Sequence, residues 1–297
     1  MGPCHDRENR KKTGDHIGFQ AGGFAGRHSS IMNKGTQLHY QIFGQGEPLL
    51  LVHGWAMHSG VWAELIEKFS GGFQIITIDL RGHGSSREAP GPYTCDAFAG
   101  DIIDLMRELA CARITAVGWS MGVSVLLKAA AQSPELFGRF VFIGGNPSLV
   151  SRPDYPCGIP AVTVQRLYRQ VERAYPEGLK NFYRLLLTAH EQELLRHDPR
   201  YAAMTDLAAA PAKDAALASL RCLMEEDLRA TLARISVPTL ILQGDEDAIC
   251  NPSGAAFMHS HIPGSCLVMF EQTGHVPFLT RSKEVISHLR LFMGSPP

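Results

Sequence analysis

The sequence predicts an α/β fold: a mostly parallel, twisted sheet flanked by helices, with a helical cap inserted into it. Three observations carry that expectation. Short apolar runs at 48–53 (PLLLVH), 73–80 (FQIITIDL) and 114–119 (ITAVGW) alternate with helix-patterned segments. That is the rhythm of strands buried on both faces and joined by crossover helices. The rhythm stops between about 147 and 229, where no strand-like run occurs, and resumes at 238–243 (PTLILQ).

Taken in order, residues 37–43 (QLHYQIF) read as an early strand and 48–53 as a strand with both faces covered. Residues 62–69 form a short helix, and 73–80 the next strand. Over 97–109, Phe98, Ile102, Leu105, Met106 and Leu109 recur at helical spacing. Strands follow at 114–119 and 140–144. In the inserted region, Val164, Leu167, Tyr168, Val171 and Tyr175 make one helical face, and Leu179, Phe182, Tyr183 and Leu186 another. The sheet returns at 238–243 and 265–270, and a helix over 282–293 closes the fold. Residues 1–30 are polar, charged and rich in glycine, with no apolar signal-peptide core. The expected division is a disordered extension over 1–31, a core over 32–147 and 229–297, and a cap over 148–228.

The chain has 297 residues, 45% hydrophobic and 19% charged, with a net charge of -1. This composition suits one large core and supplies no basic excess for nucleic acid or a membrane surface. No run approaches the length of a membrane span. Seven cysteines are scattered without a C-x-x-C pair, which points to a reduced, cytoplasmic chain. A monomer is expected.

The most informative segment is Gly118-Trp119-Ser120-Met121-Gly122, between the 114–119 strand and a small-residue helix. G-x-S-x-G in that context is a nucleophile elbow. The tight turn strains the backbone at the serine, and the flanking glycines remove side chains that would clash. Serine needs a base, and the base an orienting carboxylate. Gly244-Asp245-Glu246-Asp247 follows one late strand and Gly274-His275 the next, where open α/β sheets place their sites. Ser120, His275 and Asp247 are therefore the candidate nucleophile, base and acid. Asp247 is preferred over Asp245 and Glu246 because it lies furthest from its strand. Asp245 has the alternative of satisfying nearby backbone amides.

A tetrahedral intermediate needs two donors for its oxyanion. The backbone N–H of Met121 is one, and the loop after the 48–53 strand offers that of Trp55. Together with Met121, Trp55 and Trp119 are expected to bind substrate. For the tryptophans an apolar acyl wall and plain core packing stand as equal alternatives. Asp79-Leu80-Arg81-Gly82-His83-Gly84 has no nucleotide-loop spacing and reads as structural. His259 and His261 lack a third ligand, so no metal and no cofactor are expected. In the cap, Arg166, Arg169 and Arg173 share one helical face, either solvated or open to an acidic partner.

HGW at 53–55, DLRGHGSS at 79–86, GWSMG at 118–122, GDED at 244–247 and GHVPF at 274–278 occur in order. With these motifs the chain, from about residue 38 onward, resembles an α/β-hydrolase with a helical cap. HGWAM, the tryptophan before Ser120 and the stretch Arg152, Asp154, Tyr155, Pro156 are similar to the pimeloyl-[acyl-carrier protein] methyl ester esterases of biotin synthesis. That resemblance implies Ser120, Asp247 and His275 as the triad, with Trp55 and Met121 as oxyanion donors. It further implies that Arg152, Arg166, Arg169 and Arg173 meet an acidic acyl-carrier protein. Met121 and Val123 depart from the family pattern. The same fold also hosts generic carboxylesterases, C–C bond hydrolases, lactonases and non-catalytic ligand receptors.

Overall fold

The computed structural model describes residues 27–33 and 36–294. Eight strands form one sheet: β1 (Arg27–Asn33), β2 (Thr36–Phe43), β3 (Glu47–Val52), β4 (Phe73–Ile78), β5 (Ile114–Trp119), β6 (Phe137–Ile143), β7 (Thr239–Gly244) and β8 (Cys266–Phe270). Their spatial order is β1-β2-β4-β3-β5-β6-β7-β8. β1 and β2 run antiparallel, and β3 to β8 are parallel to one another. β3, β5 and β7 are interior strands of the sheet, and each of their last four residues is buried. This is why they read as continuous apolar runs rather than alternating ones.

Of the extension expected over 1–31, residues 1–26 lie outside the described residues. Residues 27–31 are a correction: they belong to β1, which pairs with β2 in the register Ser29↔Tyr40. An edge strand is held chiefly by its ladder of backbone hydrogen bonds. RHSSIMN therefore carries no apolar run by which it could be recognised.

Three helices connect the first half of the sheet: α1 (Ala63–Phe69), α2 (Cys95–Glu108) and α3 (Met121–Gln132). α2 starts on Thr94, whose side chain accepts from the Ala97 N–H, and buries Phe98, Ile102, Leu105 and Met106 on one face. Between β6 and β7 come α4 (Ala161–Arg173), α5 (Leu179–Leu185), α6 (Ala189–Leu194), α7 (Pro199–Met204), α8 (Lys213–Glu225) and α9 (Arg229–Leu232). No named strand lies in this stretch, only the bridges Val150↔Ile159 and Arg152↔Tyr155. α10 (Pro252–His261), α11 (Pro277–Thr280) and α12 (Ser282–Met293) complete the chain.

Connections leave β3 toward β4 on one side and β5 toward β6 on the other. The order therefore reverses between β3 and β5. A crevice opens there, beyond the carboxyl ends of the strands. The loop carrying Trp55 follows β3, and Ser120 follows β5.

Candidate active site

Ser120 is the residue between β5 and α3, with φ 55° and ψ -117°. A non-glycine residue in this region is strained by about 1–3 kcal/mol. The surroundings hold it there. The Ser120 N–H donates to the Ile143 carbonyl of β6 at 2.9 Å. A Cβ on Gly122 would stand 2.4 Å from the Val52 carbonyl oxygen, and one on Gly118 would stand 2.7 Å from Gly122. Both glycines are thus required by contact, as the elbow spacing implied. Met121 is the first residue of α3, so its N–H has no acceptor within the helix.

His275 and Asp247 are both buried. The imidazole Nδ1 and the Asp247 Oδ2 are 2.7 Å apart. The carboxylate is fully engaged: Gln243 Nε2 donates to Oδ2 at 2.9 Å, and the Ile249 and Cys250 N–H groups each donate to Oδ1 at 2.8 Å. Held by that many donors, the carboxylate is fixed in place and aims the ring. Asp245 takes the other role weighed for it, accepting from the Thr273 N–H at 3.3 Å. The second ring nitrogen, Nε2, is buried and unpartnered among the described residues. A ring nitrogen free of other partners is what a general base needs before substrate arrives.

The His275 main chain is tied as closely as its ring. Its N–H donates to the Leu186 carbonyl at 2.8 Å, and its carbonyl accepts from the Trp119 indole at 2.9 Å. The Trp119 ring also packs 5.4 Å from the imidazole and 5.1 Å from Phe278. Trp119 does not line the cavity at Ser120. Of the two alternatives, the acyl wall is therefore corrected to core packing: this side chain supports the histidine. Trp55 does line the cavity. Its indole donates to the Ala216 carbonyl of α8 at 2.9 Å, and its ring meets Phe182 edge-on at 4.7 Å.

That cavity measures about 740 Å³ with its open mouth. Ser120, Met121 and Trp55 form its floor, and Val164 of α4, Phe182 and Leu185 of α5, and Leu220 of α8 contribute to its roof. An apolar space above one strained serine suits an aliphatic acyl group. Asn146 and Cys250 also line it, and sequence reasoning missed both. Asn146 is buried with neither amide atom partnered, and burial pushes the Cys250 thiol pKa well up. Neither lies in a motif, so no local signal marked them.

The turn after β4 is tied by its own polar side chains, in keeping with a structural role. Arg81 forks onto Asp101 at 2.7 and 2.5 Å, and Asp79 accepts from the Ser59 and Ser85 N–H groups at 2.7 and 2.8 Å. Arg166, Arg169 and Arg173 are exposed along α4 and, among the described residues, make no ion pair. Arg152 differs from the expectation of a docking residue. It donates to the Glu225 and Glu226 carbonyls and lies 3.6 Å from Asp227, closing the base of the cap. Among the described residues, Cys95, Cys222 and Glu226 bring three possible ligand atoms within 4.8 Å of one another. The Lys128 ammonium already lies 3.1 Å from Glu226 there. No helix among the described residues is long and apolar enough to cross a membrane.

Fold and site together define a hydrolase of carboxylic esters. A family model for the alpha/beta hydrolase fold matches residues 47–282, and the chain belongs to that family. Among proteins of known name it is similar to the pimeloyl-[acyl-carrier protein] methyl ester esterase of Nitrosomonas europaea. The two are 34% identical over 267 residues, spanning 85% of this chain and 98% of the relative. Among solved structures it resembles an esterase from Exiguobacterium antarcticum, with a TM-score of 0.81 and 27% identity over 91% of this chain and all of the other. It also resembles a bromoperoxidase from Bacillus anthracis, with a TM-score of 0.83 and 25% identity over the same shares.

Proposed function

We propose that this chain is a serine esterase that removes the methyl group from pimeloyl-[acyl-carrier protein] methyl ester in biotin synthesis. The observations that carry the chemistry are the buried 2.7 Å contact between His275 and Asp247 and the strained backbone of Ser120. Ser120 attacks the ester carbonyl as His275 Nε2 takes its proton. The Trp55 and Met121 N–H groups donate to the oxyanion. Methanol leaves with the proton from His275, forming an acyl-serine. Water, deprotonated by His275, releases the free acid and restores the serine.

The substrate is supported by the likeness to the esterase of Nitrosomonas europaea and by the apolar roofed cavity. The exposed arginines of α4 suit an acidic carrier held outside while its acyl chain enters. No cofactor or metal takes part in these steps, and the expected compartment is the cytoplasm.

Two measurements test this. Ser120→Ala is expected to abolish hydrolysis of short p-nitrophenyl esters while leaving the circular dichroism spectrum unchanged; retained turnover would discard the nucleophile. The wild-type gene is expected to rescue a biotin auxotroph that lacks its own methyl ester esterase. Failure to rescue, with good turnover of unrelated esters, would point to a general carboxylesterase, as the likeness to the Exiguobacterium enzyme suggests.

A further inference from the structure

His275 is held from the cap as well as from the sheet. Its N–H and that of Gly274 both end on one cap turn: the first donates to the Leu186 carbonyl at 2.8 Å, the second to Glu191 Oε2 at 2.9 Å. The same oxygen accepts from the Thr188 N–H at 2.9 Å, completing a capping box at the start of α6. A capping box alone needs no burial, yet Glu191 is 3% exposed. Burying a carboxylate is costly unless its hydrogen bonds compensate. The Gly274 N–H, 83 residues away in sequence, adds a second donor to Oε2, while Oε1 is buried without a partner among the described residues.

Gly274 independently records how tightly the two segments meet. A Cβ there would lie 2.8 Å from both Glu191 Oε2 and the Leu186 carbonyl oxygen, and 3.1 Å from Leu187 Cα. The cap turn is therefore pressed onto the backbone that carries the histidine. Leu185, the residue before Leu186, lines the acyl cavity. One short stretch of cap thus roofs the cavity and grips the base.

We infer that Glu191 is a positioning residue, whose carboxylate fixes the Gly274–His275 backbone so that the imidazole Nε2 stays aimed at Ser120. It touches neither substrate nor the reacting atoms. The inference rests on His275 being the base. Without the Glu191 acceptor, the Gly274 peptide regains the freedom of a glycine, and His275 keeps only its Asp247, Trp119 and Leu186 ties. Loss of aim at the sub-ångström to ångström level costs on the order of 10- to 100-fold in rate.

The test uses the full chain and a short p-nitrophenyl ester. Glu191→Ala is expected to lower kcat about 10- to 100-fold with KM changed less than about two-fold. Labelling of Ser120 by a fluorophosphonate should slow by a similar factor. Glu191→Gln keeps an oxygen that accepts both N–H groups and is expected to restore most of kcat, so it also serves if the alanine variant does not fold. Thr188→Ala removes the other half of the capping box but leaves the Gly274 acceptor. It is expected to lower Tm while keeping kcat near wild type. A Glu191→Ala enzyme with wild-type kcat, or equal kcat losses in Glu191→Ala and Thr188→Ala, would overturn the inference. Turnover that survives Ser120→Ala would instead overturn the proposed chemistry, so the two failures are distinguishable.

Discussion

The indole N–H of Trp119 donates to the main-chain carbonyl of His275 at 2.9 Å. The residue before the candidate nucleophile therefore holds the candidate base, across 156 residues of chain. Trp119→Phe keeps a flat apolar ring against Phe278 and removes that one donor. Its expected effect is a fall in kcat of about 10-fold, as for about 1.4 kcal/mol of lost transition-state stabilisation, with KM unchanged. Steady-state kinetics on a p-nitrophenyl ester checks it. A rise in KM alone would return the tryptophan to the acyl wall.

The exposed face of α4 is expected to act on association only. Replacing Arg166, Arg169 and Arg173 together by glutamate should lower kcat/KM for a carrier-bound methyl ester about 10- to 100-fold at low salt, with the gap closing as salt is raised. Turnover of a free short ester should not change. Equal losses on both substrates would mean that the face supports the fold and receives no carrier.

Stability is expected to fall with pH well above the carboxylate range. Burial pulls the His53 imidazole down to about 4 and that of His83 down to about 3. Both rings are fully buried with neutral roles: the Leu80 N–H donates to His53 Nε2 at 3.1 Å. In the unfolded chain they titrate near 6.5. Above that pH neither state is protonated, and the two rings contribute no pH dependence. Below it the unfolded chain gains protons that the folded chain refuses, so stability is lost progressively from about pH 6.5 down to about 4. Two such groups give a slope of up to about 2.7 kcal/mol per pH unit. Urea midpoints at pH 7, 6 and 5 measure it. A midpoint that stays level over this range would mean the rings are open to protons in the native state.

The parts of this protein legible in sequence are those whose cause is local. Gly118 and Gly122 stand two residues either side of Ser120 because Gly122 presses on β3 and Gly118 on Gly122 itself. The apolar runs of β3, β5 and β7 mark strands covered on both faces. Asp247 and His275 lie past strand ends, in the order this fold uses. The strand β1 escaped because an edge held by backbone bonds imposes little on its side chains.

What tertiary structure alone decided are pairings between distant residues. The sequence shows Thr188 and Glu191 at capping-box spacing, but nothing in it says that the same carboxylate meets Gly274. It shows Trp119 beside Ser120, but not that the indole turns from the cavity to His275. It shows Arg152 near the cap entry, but not that Glu225 and Glu226 claim its guanidinium. Turn chemistry and periodicity act over a few residues and are written into neighbouring positions. Which buried donor finds which acceptor depends on how the sheet and cap pack, and that is settled only when the whole chain has folded.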